Sequence, residues 1–300
     1  MTDREKEILN ILKKNPLISQ KELASILSIT RSSVAVHITN LMKKGYIKGK
    51  GYIIKEENYI TIIGGSSIDI EGISNNQLVM FDSNPGKVNL SVGGAGMNLA
   101  QYIRKLGFNT KLISAIGNDL YGNTILSECK SYGIDVDDCY ISSEDSTSIY
   151  ISIFNNLNDI QLAISHMDIT EKIDINFINS KHSAISDSIA IILDTNLPEK
   201  TIDFITKFYS HIPILIDTVS ASKCIKIKNM IERFDFIKLS QSEAEILSGM
   251  KIYNEYDIDK CFNYFLNKGV KRVFIKIGKD KLISSDGINL EQTLKELSLC

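Results

Sequence analysis

Apolar positions follow two different rules along this chain. Up to about residue 54 they recur at helical spacing in short segments. In "REKEILNILKKNP", Ile8, Leu9, Ile11 and Leu12 share one face and Pro16 closes the run. In "SQKELASILSIT", Ser19 with Glu22 three residues on reads as a capping box ahead of a stripe of Leu23, Ile26 and Leu27. "TRSSVAVHITNLMKKGYI" predicts a third helix, with Thr30 as N-cap, Val34, Ile38, Leu41 and Met42 facing inward, and Gly45 as its stop. "IKGKGYII" reads as a short two-stranded wing.

From residue 59 the rule changes. Continuous Ile/Val-rich runs appear: "YITIIGG", "TKLISAIG", "IAIILD", "IPILID", "FDFIKLS" and "RVFIKIG". Helical patterns such as "AGMNLAQYIRKLG", "EKTIDFITKFY" and "DIDKCFNYFLNKG" lie between them. That alternation predicts a doubly wound, mostly parallel α/β sheet covered on both faces, which binds ligands at the carboxyl ends of its strands. Those ends carry Asp194, Asn196, Asp217, Ser240 and Glu243, with Asp69 just beyond the first run. Two stretches, "QLVMFDSNPGKVNLSVGG" and "STSIYISIFNNLNDIQLAIS", alternate with period two instead. They predict two antiparallel hairpins forming a small β flap. After Val273–Ile277 and Leu282–Ser284 comes a polar turn at Asp286–Asn289, then a stub that reads as helix. The predicted organisation is a domain at 1–54, a linker at 55–58 and a domain at 59–300.

Charge sharpens the division. Residues 1–58 hold 11 Lys/Arg against 6 Asp/Glu, whereas the whole chain has a net charge of −2. A basic head on an acidic body points to nucleic acid. Three short helices, a tight turn before the third and a basic wing resemble a winged helix-turn-helix. The resemblance implies DNA contacts from Arg31, Ser32, Ser33 and His37 at the recognition helix, with Lys43, Lys44, Lys48 and Lys50 on phosphates. A helical protein-interaction module with a solvated basic face is the alternative. The five cysteines, Cys129, Cys139, Cys224, Cys261 and Cys300, form no C-x-x-C pair, so neither zinc nor a disulfide framework is indicated. No apolar run is long enough for a membrane span, and the expected location is the cytoplasm.

The stretch "GGAGMNLAQYIRKLGFNTKLISAIG" carries Gly94, Gly96, Asn98, Ala100, Gly107 and Gly117 at a spacing that matches the first signature of the ribokinase (PfkB) family of carbohydrate and nucleoside kinases. "GGSSIDIEG", "SNPGKV", "IGNDLYG", "STSIYISI", "NLPE", "DTVSASK" and "SEAEILSG" agree with it. The resemblance spans residues 59 to about 287 and is nearest to the pseudouridine-kinase-like branch. It implies a ribokinase-like fold and ATP- and magnesium-dependent phosphoryl transfer to the hydroxymethyl group of a nucleoside or pentose-like substrate. By position, Asp69 would grip substrate hydroxyls and Gly93, Gly94 and Asn98 would line the sugar. Thr147 and Tyr150 of the flap would close over it, and Glu243 would organise water around magnesium. A homodimer is a further expectation.

The family's second signature, D-T-x-G-A-G-D, supplies the catalytic base and an anion-binding helix. No Gly-Ala-Gly-Asp occurs in these 300 residues, so no catalytic residue is assigned. Nucleotide-side positions depart as well. Ser240 stands at the family's asparagine, Lys276 at a hydroxyl residue, Lys281 at a glycine, and Ser165-His166 at Asn-Asp. The expectation is a C-terminally truncated kinase of little activity. The alternative is a sugar- or nucleoside-responsive DNA-binding regulator that has lost catalysis.

Overall fold

The computed structural model describes residues 1–48, 58–278 and 281–294. Contacts within the chain fall into two units, Met1–Glu57 and Asn58–Cys300.

In the first unit, α1 (Asp3–Lys14), α2 (Gln20–Ile26) and α3 (Arg31–Lys43) start where the polar signals place them. Ser19 and Glu22 form a reciprocal capping box, and the Thr30 hydroxyl accepts the Ser33 N–H. Thr2 and Glu5 make another box, which the periodicity did not suggest. Gly45 ends α3 with φ +76°. Ile8, Leu12, Leu23, Leu27, Val34, Ile38 and Leu41 close the core. Two expected core positions are exposed instead: Ile26 and Met42. The seven-residue α2 buries Leu23, Ala24 and the C-cap Leu27, which turns Ile26 outward. Lys44 is not left free for phosphates, because its Nζ lies 2.8 Å from both carboxylate oxygens of the buried Glu5. Lys50 and most of the expected wing, residues 49–54, lie outside the described residues, as does the expected linker up to residue 57.

The second unit runs β1 (Tyr59–Ile63), β2 (Ser67–Ser74), β3 (Gly86–Gly93), α4 (Ala95–Lys105), β4 (Asn109–Ile113), β5 (Ala115–Gly117), α5 (Leu120–Ser131), β6 (Tyr140–Ser142), β7 (Ile149–Phe154) and β8 (Ile160–His166). It continues with α6 (Ile175–Ser180), α7 (His182–Ser186), β9 (Ala190–Asp194), α8 (Glu199–Phe208), β10 (Ile214–Asp217), β11 (Phe236–Ser240), α9 (Gln241–Ser248), α10 (Glu255–Asn267), β12 (Arg272–Ile277), β13 (Lys281–Ser285) and β14 (Leu290–Leu294). Among the described residues, eight strands form the main sheet in the order β14-β13-β12-β11-β10-β9-β1-β4. The pairs from β4 to β12 are parallel, and β13 and β14 are antiparallel additions. Two apolar clusters cover it. One gathers Ile191, Ile205, Ile216, Phe234, Phe262 and Phe265 among others, the other Ile62, Met97, Leu112 and Ile125. Strands buried on both sides have no polar face to show, which is why their sequences read as unbroken Ile/Val runs.

Three expectations change. The flap is one four-stranded sheet, β3-β2-β7-β8, not two separate hairpins. The partner of β3 is β2, from "GGSSIDIEG", and residues 75–85 are the loop between them. The segment after Asp286 is not helix but β14, paired antiparallel with β13 from Ser285↔Leu290 to Lys281↔Leu294. The Asp286 carboxylate accepts the Ile288 and Asn289 N–H groups, and that turn sends the chain back along β13. Val273–Ile277 is therefore internal, flanked by β11 and β13.

Candidate sugar and nucleotide sites at the strand ends

β1 ends in Gly64-Gly65-Ser66, and the chain passes directly into β2 and the flap. Asp69 sits on β2, half-buried, and accepts the Ser67 hydroxyl at 2.8 Å. Burial pushes its carboxyl above the ordinary range, partly offset by that hydrogen bond. Gly93 is the antiparallel partner of Ser67. A Cβ there would run into the Asp69 carboxylate, so only glycine leaves that oxygen open space. Gly94 takes φ +93° as the N-cap of α4, and a Cβ would lie 2.6 Å from the Gly65 carbonyl oxygen. Asn98 stands half-buried in the first turn of α4. The structure therefore brings Asp69, Gly93, Gly94 and Asn98 to one junction. The amides of α4 are not all available for an anion: Gly96 N–H and Met97 N–H both donate to Gly65 O, at 3.0 and 3.3 Å.

Across the flap, Asp69 pairs in register with Ser91 on one side and Tyr150 on the other, and Tyr150 pairs with Ser165. Cross-strand partners share a face, so Ser91, Asp69, Tyr150 and Ser165 form one polar row. The next row, Leu90, Ile70, Ile151 and Ile164, points to the opposite face and is wholly aliphatic. Thr147 is placed differently from Tyr150. It precedes β7 and is fully buried. Its hydroxyl donates to Asp119 Oδ1 at 2.7 Å and accepts the Gly117 N–H at 2.9 Å. Asp119 also caps α5 through the Gly122 N–H. Thr147 thus anchors the base of the flap to the α5 N-terminus.

Sequence reasoning gave Asp194 no more than a place at a strand end. It is fully buried, its two oxygens accepting the Gly65 and Asn196 N–H groups, each at 2.8 Å. Burial pushes its carboxyl up to about 6. Asp194 therefore fixes the backbone from which Ser66 and Asp69 depart. Two lysines in and after "DTVSASK" converge on the same strand end. Lys223 Nζ donates to Asn196 Oδ1 at 2.6 Å, and Lys226 Nζ donates to the carbonyls of Thr195 and Leu197 at 3.0 and 2.8 Å. Burial lowers the pKa of both. A motif match alone gave no sign that these lysines lean back onto β9.

Farther along the sheet edge, Ser240 on β11 is in register with Lys276 on β12. They line an open cleft of about 510 Å³ with Gln241, Ser242, Glu245 and Gly278. Lys251, at 2.7 Å, neutralises Glu245. Hydroxyls, an amide and an ammonium suit a polyphosphate. Glu243 is buried and belongs to a capping box. Its Oε2 accepts the Ser240 N–H at 2.6 Å and the Thr218 hydroxyl at 2.7 Å. Among the described residues no group of three His, Cys, Asp or Glu side chains could cage a metal. A magnesium ion here would take most of its oxygens from phosphates and water. Thiol chemistry finds no support at Cys129 and Cys139, which burial pushes up to about 12.

On the first unit, Arg31 and Ser32 are exposed at the start of α3, whereas Ser33 and His37 are half-buried. His37 Nδ1 is enclosed without a hydrogen-bond partner. The line along α3 opposite the core residues Val34, Ile38 and Leu41 is Ser32, Val36, Thr39 and Lys43. Val36 and Thr39 were not among the expected contacts.

Comparison with known proteins separates the same two parts. The sequence model of the pfkB family carbohydrate kinases matches residues 57–295, and that of the winged helix-turn-helix DNA-binding family matches residues 1–48. The chain is 35% identical to the uncharacterized sugar kinase YeiI of Escherichia coli (strain K12), over 95% of this chain and 79% of that protein. It is 33% identical to the pseudouridine kinase of the same organism, over 78% of this chain and 74% of the relative. In fold it resembles the ribokinase of Thermotoga maritima, with a TM-score of 0.68 at 20% identity, covering 80% of this chain and 78% of the other.

Proposed function

We propose, from the premise that this chain belongs to the pfkB family of carbohydrate kinases, that its second unit binds a nucleoside or pentose-like sugar and presents the hydroxymethyl group to ATP. The observation that carries this reading is the Asp69 carboxylate, open to a ligand beside Gly93 and set in the polar row of the flap. A carboxylate accepts from two vicinal hydroxyls, as a ribose presents them. Gly94 and Asn98 line the sugar, and Tyr150 covers it when the flap closes, which keeps water from the reacting phosphate. Ser240, Ser242 and Lys276 would hold the triphosphate, and Glu243 would act on magnesium through water. Bound ATP and magnesium would supply the phosphoryl group and the charge neutralisation.

In these 300 residues no Gly-Ala-Gly-Asp offers a base to the substrate hydroxyl. We propose that these 300 residues, taken by themselves, bind the substrate and turn it over slowly. Calorimetric titration with pseudouridine, ribonucleosides and ribose tests the binding, and ADP release with the same compounds tests the turnover. Binding that survives Asp69→Asn unchanged would sink the site; rapid ADP release would sink the claim of slow chemistry. We place a second copy of the chain on the aliphatic face of the flap. No helix among the described residues is long and apolar enough to cross a membrane, and we locate the protein in the cytoplasm.

A second reading rests on α3, which carries Arg31 and Ser32 exposed at its start and no acidic residue along its length. We propose that the first unit binds duplex DNA, making the chain a nucleoside-responsive regulator. Affinity should fall steeply with salt. Arg31→Ala should lose discrimination between sequences, while Lys48→Ala and Lys50→Ala should weaken all of them about equally. Equal affinity for every duplex, unaltered by Arg31→Ala, would leave only a non-specific or protein-binding module.

A further inference from the structure

The outward line of α3 has a member of the wrong kind for a solvated surface. Ser32, Thr39 and Lys43 are polar, but Val36, at the centre of the line, is 58% exposed. The core does not require it, since Val34, Ile38 and Leu41 close that side. Nor does the helix gain from it: a β-branched residue on an exposed turn is a poorer helix former than alanine or lysine. What Val36 does provide is a stiff pair of methyl groups. A β-branched side chain in a helix holds one strongly preferred χ1 rotamer, so those methyls point in a fixed direction.

The surroundings select the kind of surface that could meet them. The charges on α3 are Arg31 and Lys43, both positive, one at each end of the helix. Residues 1–58 carry 11 basic against 6 acidic side chains. Hydroxyls at Ser32 and Thr39 flank Val36. The Ser32 and Thr30 hydroxyls are 2.9 Å apart, and Thr39 donates to Ala35 O at 2.8 Å, which holds both in place. A partner must therefore be anionic at the two ends, polar in between, and apolar at one central point. The major groove has that composition where a thymine lies between the phosphate walls, because the thymine C5 methyl is the apolar group on the floor of the groove. A protein groove complementary to this helix would need acidic side chains at both ends and an apolar socket between them, and it becomes an outcome of the test.

We propose that Val36 is a specificity-determining residue that reads a thymine methyl, so that the sequence bound by the first unit carries thymine beneath the middle of α3. This rests on the DNA-binding reading of the first unit and names the base at its centre. The full chain is used to select duplexes from a random pool, and each thymine of the selected duplex is then replaced by deoxyuridine, which removes only the methyl group. At one position the wild-type chain should lose about fourfold in affinity, the worth of burying one methyl. Val36→Ala should bind the thymine and deoxyuridine duplexes equally, with unchanged helical circular dichroism. Val36→Thr, which keeps one methyl group, should retain a part of the preference. A selected duplex with no sensitive thymine would overturn the proposal while leaving DNA binding intact. So would a deoxyuridine penalty that persists in Val36→Ala. Selection that enriches no duplex would overturn both, and would leave α3 as a surface for an acidic protein.

Discussion

Asp69 and Asp194 show how one residue type takes opposite roles within one strand-end cluster. Asp69 keeps space in front of it, because Gly93 has no side chain. Asp194 has none: its oxygens are consumed by the Gly65 and Asn196 amides. Replacing Asp69 by Asn removes a charged acceptor, and nucleoside binding should weaken about 10- to 100-fold in a calorimetric titration, with thermal stability little changed. Asp194→Asn should behave differently. A carboxyl held at about 6, against 3.8 for the ordinary group, adds stability that is fully present below about pH 4 and is lost as pH rises through 6. Between pH 4 and 7 the stability of the wild-type second unit, relative to Asp194→Asn, should therefore fall by up to about 3 kcal/mol. The chain has no tryptophan, so urea unfolding followed by far-ultraviolet circular dichroism reads it, and a gap that stays constant with pH would exclude this account. Gly94→Ala combines a left-handed φ with a Cβ 2.6 Å from backbone. It should cost about 2 kcal/mol and lower the melting temperature by several degrees.

At the scale of elements, the flap has two unlike faces. The polar row through Asp69 belongs to the proposed sugar site. The opposite face exposes Val88 and Leu90 of β3 and Leu162 and Ile164 of β8, with Ile70, Ile151 and Ile153 between them. Soluble chains seldom leave such a contiguous apolar face wet. Sedimentation at tens of micromolar should show a dimer, and Leu162→Glu should return it to monomer without loss of nucleoside binding. A wild-type chain that stays monomeric over that range would show that no second copy covers the face. The main sheet handles its own margin differently. β13 and β14 shield Val273–Ile277, an apolar run that would invite aggregation at an open edge. Arg272 supports the addition by reaching Asp286 and Glu291, at 2.6 and 3.3 Å.

At the scale of the molecule, two cores answer to two kinds of burial. Among the described residues, the apolar cluster of the first unit is drawn from Ile8 to Ile47. Leu12→Ala empties a fully buried position and should cost the first unit about 2–5 kcal/mol. Calorimetry should show its transition moving down while that of the second unit stays where it was; a joint shift would mean that the two units unfold together.

Much of this was legible in the chain because it depends on neighbours in sequence. Ser19 with Glu22, and Thr30 before its helix, are local hydrogen-bond signals, and the structure makes both caps. Unbroken Ile/Val runs follow from burial on two faces, and they marked six of the eight strands of the main sheet; a seventh was visible as a short strand at Leu282–Ser284. Glycine spacing at Gly93 and Gly94 pointed to a close approach of backbone, although not to the carboxylate that Gly93 accommodates. The remainder was decided by partners distant in sequence. The stub after Asp286 is too short for its period to separate helix from strand, and the open side of β13 settled it. Which strand pairs with β3 depended on the position of β2. Ile26 and Val36 lie on helices whose apolar residues outnumber their core positions, and packing chose which ones stay outside. Asp194 looked like one more polar strand end. Only the fold brings Gly65 to its carboxylate across 129 residues of sequence, because the energy of a buried acid is set by what surrounds it in space.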